Sequence, residues 1–157
     1  MKSEFIYGLS LGLILSGCQA PAIYQSSQWL IYENSRFGFT FPYPNDWVPA
    51  RPPANADGQV FRDPQNPAIS IRGWASYRVN GSLPRSIEEN FQTEQGLWGE
   101  LQIKIGLDIS LMTLTLQRDE VEYQWQGEAP SAEFQNYYQF FYHVASRYRV
   151  EGIGKRE

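Results

Sequence analysis

The 157-residue sequence has one cysteine and one histidine, and no uncharged apolar run in it reaches the length of a membrane-spanning helix. A lone Cys18 rules out an internal disulfide, which exported proteins of this size often use as a staple. A lone His143 limits both nucleophilic catalysis and metal binding. A Ser-His-Asp site would have to use it, yet no Gly-x-Ser-x-Gly stretch supplies a nucleophile. A zinc site would need His143 and several carboxylates such as Glu88, Glu89 and Glu94, which read more simply as a solvated helix face. Glu120 and Glu122 alternate with Val121 and Tyr123, as outward residues of a strand do, so no acid/base pair is assigned to them. Basic charge is also scarce. The net charge of −4 offers no stripe for a phosphate backbone, so nucleic acid is not an expected partner. No phosphate-binding glycine loop or dinucleotide fingerprint is present. These absences lead to the expectation of a protein that is not an enzyme, with no cofactor, metal site or catalytic residue.

The N-terminal stretch carries the clearest positive signal. Phe5 to Ser16 (FIYGLSLGLILS) is uncharged but too short to span a bilayer, which needs roughly 20 apolar residues. Its length suits the apolar part of a secretory signal. Leu15-Ser16-Gly17-Cys18 resembles a bacterial lipobox, in which two small residues precede a cysteine that is lipidated and becomes the new N-terminus. A free cysteine beside an ordinary signal peptide, or an uncut apolar anchor, is the alternative. The lipobox also explains why an exported chain keeps a single thiol. A thioether to diacylglycerol consumes that thiol, and the acyl chains hold the protein on the membrane. The expected organisation is a lipoprotein signal peptide at 1–17, a polar tether at 18–28 and a single α+β domain at 29–157. Cys18 is the expected lipid attachment site, and the membrane is a partner through its diacylglycerol.

Aromatics make up 15% of the chain and fall mostly on alternating stretches, where rings suit a half-buried pleated surface. Trp29 to Tyr32 reads as a short strand. Phe37, Phe39 and Phe41 alternate with Gly38 and Thr40, which predicts a strand packed on a core from one face. Pro42 and Pro44 should end its ladder, and Trp47 should pack back on the phenylalanine face. Pro49 to Gly58 is a proline-rich loop and a candidate docking segment. Strands follow at 59–62 and 68–75, and Asn80-Gly81 marks a turn.

Ser86-Ile87-Glu88-Glu89 fits a capping box, so a helix is predicted from there to Gly96, with Ile87 and Phe91 on its apolar side. Period two resumes at 101–107, 112–117 and 121–126, with Gln117 to Glu120 as a hairpin that lacks the usual glycine. Phe134 to His143 is aromatic on both faces and is predicted to be a central strand, and 147–150 closes the sheet. The fold class expected is α+β: an antiparallel β-sheet with one helix packed on it.

Tyr32, Phe37 to Phe41 and Tyr43-Pro44-Asn45-Asp46-Trp47-Val48-Pro49 resemble the opening of PsbP-type proteins, in which a Gly-aromatic strand runs into Tyr-Pro-x-x-Trp. Val60 to Asp63 and Ile69 to Ile71 resemble that family's next strand pair, so the likeness covers roughly residues 29–75. The resemblance implies an α/β/α sandwich. It also implies an extrinsic protein on the lumenal side of photosystem II, of which the cyanobacterial forms are lipoproteins. The sequence departs from the family in lacking an obvious C-terminal helix.

Two functions follow. One is a lipid-anchored accessory or assembly protein, periplasmic or lumenal, docking on a membrane protein complex. The other is a lipoprotein that binds a small ligand or glycan through exposed aromatics. Trp74, Tyr137 and Phe141 are the residues expected to form the docking or ligand surface.

Overall fold

Period-two alternation dominates the chain, and the fold follows it. A computed structural model describes residues 28–78 and 86–152. In chain order the elements are β1 (Trp29–Asn34), β2 (Phe39–Pro44), β3 (Val48–Pro49), β4 (Gly58–Arg62), β5 (Ser70–Tyr77), β6 (Phe91–Gln92), β7 (Trp98–Lys104), β8 (Ile109–Arg118), β9 (Val121–Pro130), α1 (Phe134–Ser146) and β10 (Arg149–Val150). Cys18, the segments at 1–17 and 18–27, and the Asn80-Gly81 turn lie outside the described residues.

Every strand pairing is antiparallel. Seven strands form one sheet in the order β3-β4-β5-β9-β8-β7-β6, and three form a second in the order β1-β2-β10. The inner face of the large sheet carries Phe61, Ile71, Ala75, Met112, Leu114, Leu116, Tyr123 and Trp125, all buried. Two elements cover that face side by side. The small sheet contributes Phe39 and Phe41, which stack on Tyr148 at ring-centroid distances of 5.4 and 6.2 Å. α1 packs on β9, β8 and β2 through Phe134, Phe140, Phe141 and Val144. Trp47 is buried against Phe140 of α1, with centroids 5.0 Å apart.

The single helix expected is present, but at a different place. Phe134–Ser146 is helical rather than a strand, and its buried residues repeat at helical spacing (134, 141, 144, 145) while Gln135, Gln139 and Tyr142 face water. The chain therefore does have a helix near its C-terminal end, packed across the sheet. The capping-box segment is not helical: Ser86 to Asn90 lie in no regular element, and Phe91-Gln92 form β6. Phe91 pairs with Gly99 and Gln92 with Trp98, closing a hairpin through Gly96 at φ +90°. That left-handed backbone suits glycine, so the residue read as a helix stop serves a strand turn instead.

The small sheet also differs from expectation. β2 continues through Pro42 and Pro44, opposite Ile31 and Trp29 of β1. β10 pairs only with Phe39 and Thr40, so among the described residues the second edge of β2 carries no strand beyond Thr40 and a missing N–H there costs no ladder bond. Between β8 and β9, Asp119 adopts φ +52° and supplies the turn conformation that glycine usually provides. Finally, the layers number two: among the described residues no helix lies on the outer face of the large sheet, in contrast to the α/β/α arrangement expected.

Candidate functional site

The outer face of the large sheet is polar, and register places its residues in rows. Val60, Arg72, Gln126 and Thr113 lie across four neighbouring strands, and Gly58, Trp74, Gln124 and Thr115 form the next row. Trp74 is the large aromatic of that surface. Its ring is half-buried, with the Arg72 guanidinium 4.7 Å from its centroid. Arg72 in turn donates to Gln126 Oε1 at 2.5 Å, which holds the guanidinium over the indole. Gly58, opposite Trp74, lets the two strands approach closely, since a Cβ there would fall 2.2 Å from the Gly73 carbonyl oxygen. A cleft of about 360 Å³ is bounded by Arg51, Pro53, Asp57, Val60, Arg72 and Trp74. Two arginines, one carboxylate and an indole edge suit a flat ligand that carries an acceptor or a negative charge.

The loop between β3 and β4 forms one wall of this cleft and is fastened to the body. Asn34 is buried and donates through Nδ2 to the Ala56 carbonyl at 3.0 Å, while its Oδ1 accepts from Phe37 N–H at 3.0 Å. Arg36 donates to the Asn55 carbonyl. Ala75 N–H reaches the Asp57 carbonyl at 3.0 Å, and Gln59 Nε2 donates to the Ala50 carbonyl at 2.7 Å. Groups from β1, the β1–β2 turn, β4 and β5 thus fix the loop that the sequence marks as a docking segment.

The three aromatics expected to share one surface do not meet there. Phe141 is 0% exposed, wedged between Trp125 and Phe134 in the core. As part of an exposed patch it is corrected by the structure: the segment is a helix, and 141 falls on its inward side. Tyr137 is half-buried on α1, where its hydroxyl donates to Asp63 Oδ2 at 2.9 Å. That bond ties the helix to the turn between β4 and β5. Trp74 alone lies on the outer face. Arg72, which the sequence reading passed over, sits two residues before Trp74 and therefore on the same side of β5, so strand period could have paired them.

His143 lies on α1 with the Trp29 ring packed against it, tilted by 35° at 4.6 Å, and Arg147 Nη1 donating to its Nε2 at 2.5 Å. Burial, and then the Arg147 charge, push its pKa below the ordinary 6.5, while Glu94, paired with Arg147 at 3.1 Å, opposes the shift. An imidazole facing a guanidinium and an indole is a poor seat for a cation. Among the described residues no three His, Cys, Asp or Glu side chains gather as a metal-binding group, and no helix is long and apolar enough to cross a membrane.

Two mixed layers, with a helix and a three-stranded ribbon on one face of a seven-stranded antiparallel sheet, define an α+β fold of the PsbP type. The chain is similar to cyanobacterial PsbP (CyanoP) from Synechocystis sp. PCC 6803, known from its solution structure. The TM-score is 0.51 and the sequence identity 16%, over 87% of this chain and 98% of that one. It is also similar to a protein from Bacteroides thetaiotaomicron VPI-5482, with a TM-score of 0.50 and 13% identity, over 85% of this chain and 52% of that one. The present chain thus spans about half of the Bacteroides protein. No protein-family model matches the chain, and no curated protein matches it.

Proposed function

We propose that this protein is an exported, lipid-anchored, non-enzymatic accessory or assembly factor that docks on a membrane protein complex, photosystem II on its lumenal side. The observation that carries the reading is the fold likeness to CyanoP, which extends over 98% of that chain. The lipobox-like Leu15 to Cys18 supports it independently, because an extrinsic partner of a membrane complex benefits from confinement to the membrane plane. In this reading residues 1–17 are removed, Cys18 carries the diacylglycerol and 18–28 tether a single domain at 29–157.

Two measurements test it. Wild-type protein should take up radioactive palmitate, and Cys18→Ser protein should not; unlabelled wild type would remove the anchor from the proposal. The tagged, lipidated protein should then recover photosystem II subunits from gently solubilised membranes. Quantitative recovery of labelled protein without any of those subunits would refute the docking partner while leaving the anchor standing.

The Arg72–Trp74 cleft favours a second reading, a lipoprotein that binds a small ligand or glycan. Acidic and neutral oligosaccharides are suitable probes, with binding read by indole fluorescence. Binding that Trp74→Ala abolishes would favour this reading over the first, and flat titrations would dismiss it.

A further inference from the structure

The β7–β8 hairpin ends in an apolar tip that nothing among the described residues covers. Leu107 at its apex is 99% exposed, and Ile105 beside it is 68% exposed; Ile103 and Ile109 are also exposed. Solvated leucine and isoleucine are ordinary one at a time, but four on one short turn are not. The turn itself is held firmly. Ser131 N–H donates to the Asp108 carbonyl at 2.8 Å, and Ser131 Oγ donates to the Gly106 carbonyl at 2.9 Å. Ser110 Oγ lies 2.8 Å from Ser131 Oγ and accepts from Gly106 N–H at 3.3 Å. Two serines thus brace the apex against the segment that leads into α1. The tip is preorganised, so little chain entropy is lost when it meets an apolar medium.

We propose that this hairpin is a membrane-dipping finger, whose occupant is the lipid bilayer that holds Cys18. The inference rests on the lipid-anchor reading above. Two observations select lipid. First, the apolar side chains point to opposite sides of the ribbon. Ile103 pairs with Met112 and shares the inner face, while Ile109 sits one position before inward Ser110 and faces outward, with Leu107 between them at the apex. A flat protein surface would cover one side of such a ribbon, whereas an acyl layer surrounds it.

Second, the anchor can reach. The ten residue-to-residue steps from Cys18 to Gln28 span at most about 35 Å. β1 begins at Trp29, which packs against His143, and the finger is braced at Ser131, about 20 Å away along α1. One bilayer surface can therefore hold both. Lys104 and Asp108, exposed beside the apolar residues, keep penetration to the interfacial layer. With a net charge of −4 the finger gains nothing from anionic lipid, so its partition should be insensitive to salt.

The test uses the chain from residue 18 onward carrying Cys18→Ser, with one new cysteine for an environment-sensitive dye. Dye at Leu107→Cys should shift to the blue on adding neutral phosphatidylcholine vesicles, equally at low and high salt. Dye at Glu120→Cys, in the β8–β9 turn, should not shift. Leu107→Asp should weaken vesicle partition about tenfold or more, as expected for losing one buried leucine. Leu107 makes no core contact, so this variant keeps the fold, and an unchanged far-ultraviolet spectrum verifies that. No shift at position 107 with saturating vesicles overturns the finger. A shift obtained only with native membranes, and absent with pure lipid, assigns the tip to a membrane protein and also overturns it. Palmitate uptake by the unmodified protein is read separately, so failure of the anchor is not confused with failure of the finger.

Discussion

Tyr148 is buried in the core, only 1% exposed. Its ring stacks on Phe39 and Phe41, its exposure is negligible, and its hydroxyl finds no hydrogen-bond partner among the described residues. Burial raises its pKa well above the ordinary range, so the phenol stays neutral at any physiological pH. A buried hydroxyl without a partner costs about 1–3 kcal/mol, so Tyr148→Phe should hold or raise stability, by about 1 kcal/mol. Chemical denaturation measures this, and a clear loss would reveal a partner for the hydroxyl. His143 gives the opposite kind of sensitivity. Its folded pKa is lowered below 6.5, chiefly by burial, so between the two values the unfolded chain binds more protons than the folded one. The stabilisation is complete above the unfolded pKa and is lost as pH falls through the lowered folded value. The denaturation midpoint should therefore drop on acidification below about pH 6.5, and His143→Gln should flatten that drop. An identical pH profile in the variant would exclude His143 as the cause.

At the scale of elements, the contact between α1 and β9 has no slack. Phe141 lies so close to Gly127 that a Cβ built there would fall 2.5 Å from its ring. Gly127→Ala should destabilise the protein by about 1–3 kcal/mol through overpacking, and a neutral result would mean that α1 can slide on the sheet. The same elements show what the sequence does and does not disclose. Strands β2, β5, β8 and β9 were legible because each has one buried face, so burial and period coincide. Phe134 to Ser146 reads as a strand because six of its thirteen positions are Phe or Tyr, several of them adjacent, which hides the difference between period 2 and period 3.6. The arrangement of its polar residues, Gln135 and Gln139, was the better guide. The capping box failed for a different reason. A ten-residue helix is marginal alone, and pairing Phe91 with Gly99 on the sheet edge outweighs a local cap. Of the candidate site, Trp74 was legible as an outward residue, whereas the exposure of Ile105 and Leu107 was not. Their alternation promised a half-buried strand, but β7 ends at Lys104, before they reach the core.

The whole molecule ties its first strand and its last to the same ribbon. β2 lies between β1 and β10, with Phe39 opposite Val150, and Arg118 donates to the Glu151 and Gly152 carbonyls beyond it. The residues that meet there are roughly 110 positions apart. At synthesis rates of about 5–20 residues per second, Phe39 and Phe41 wait on the order of 5–20 s for the partner strand and for Tyr148. During that interval two apolar rings on a bare two-stranded hairpin are open to any passing chain. Closure also requires a long loop to be gathered before its contacts repay the entropy, which makes folding slow for the size of the protein. The layout therefore makes the newborn chain dependent on whatever shields it, and a chain that stops short of Arg149 leaves the ribbon permanently unfinished.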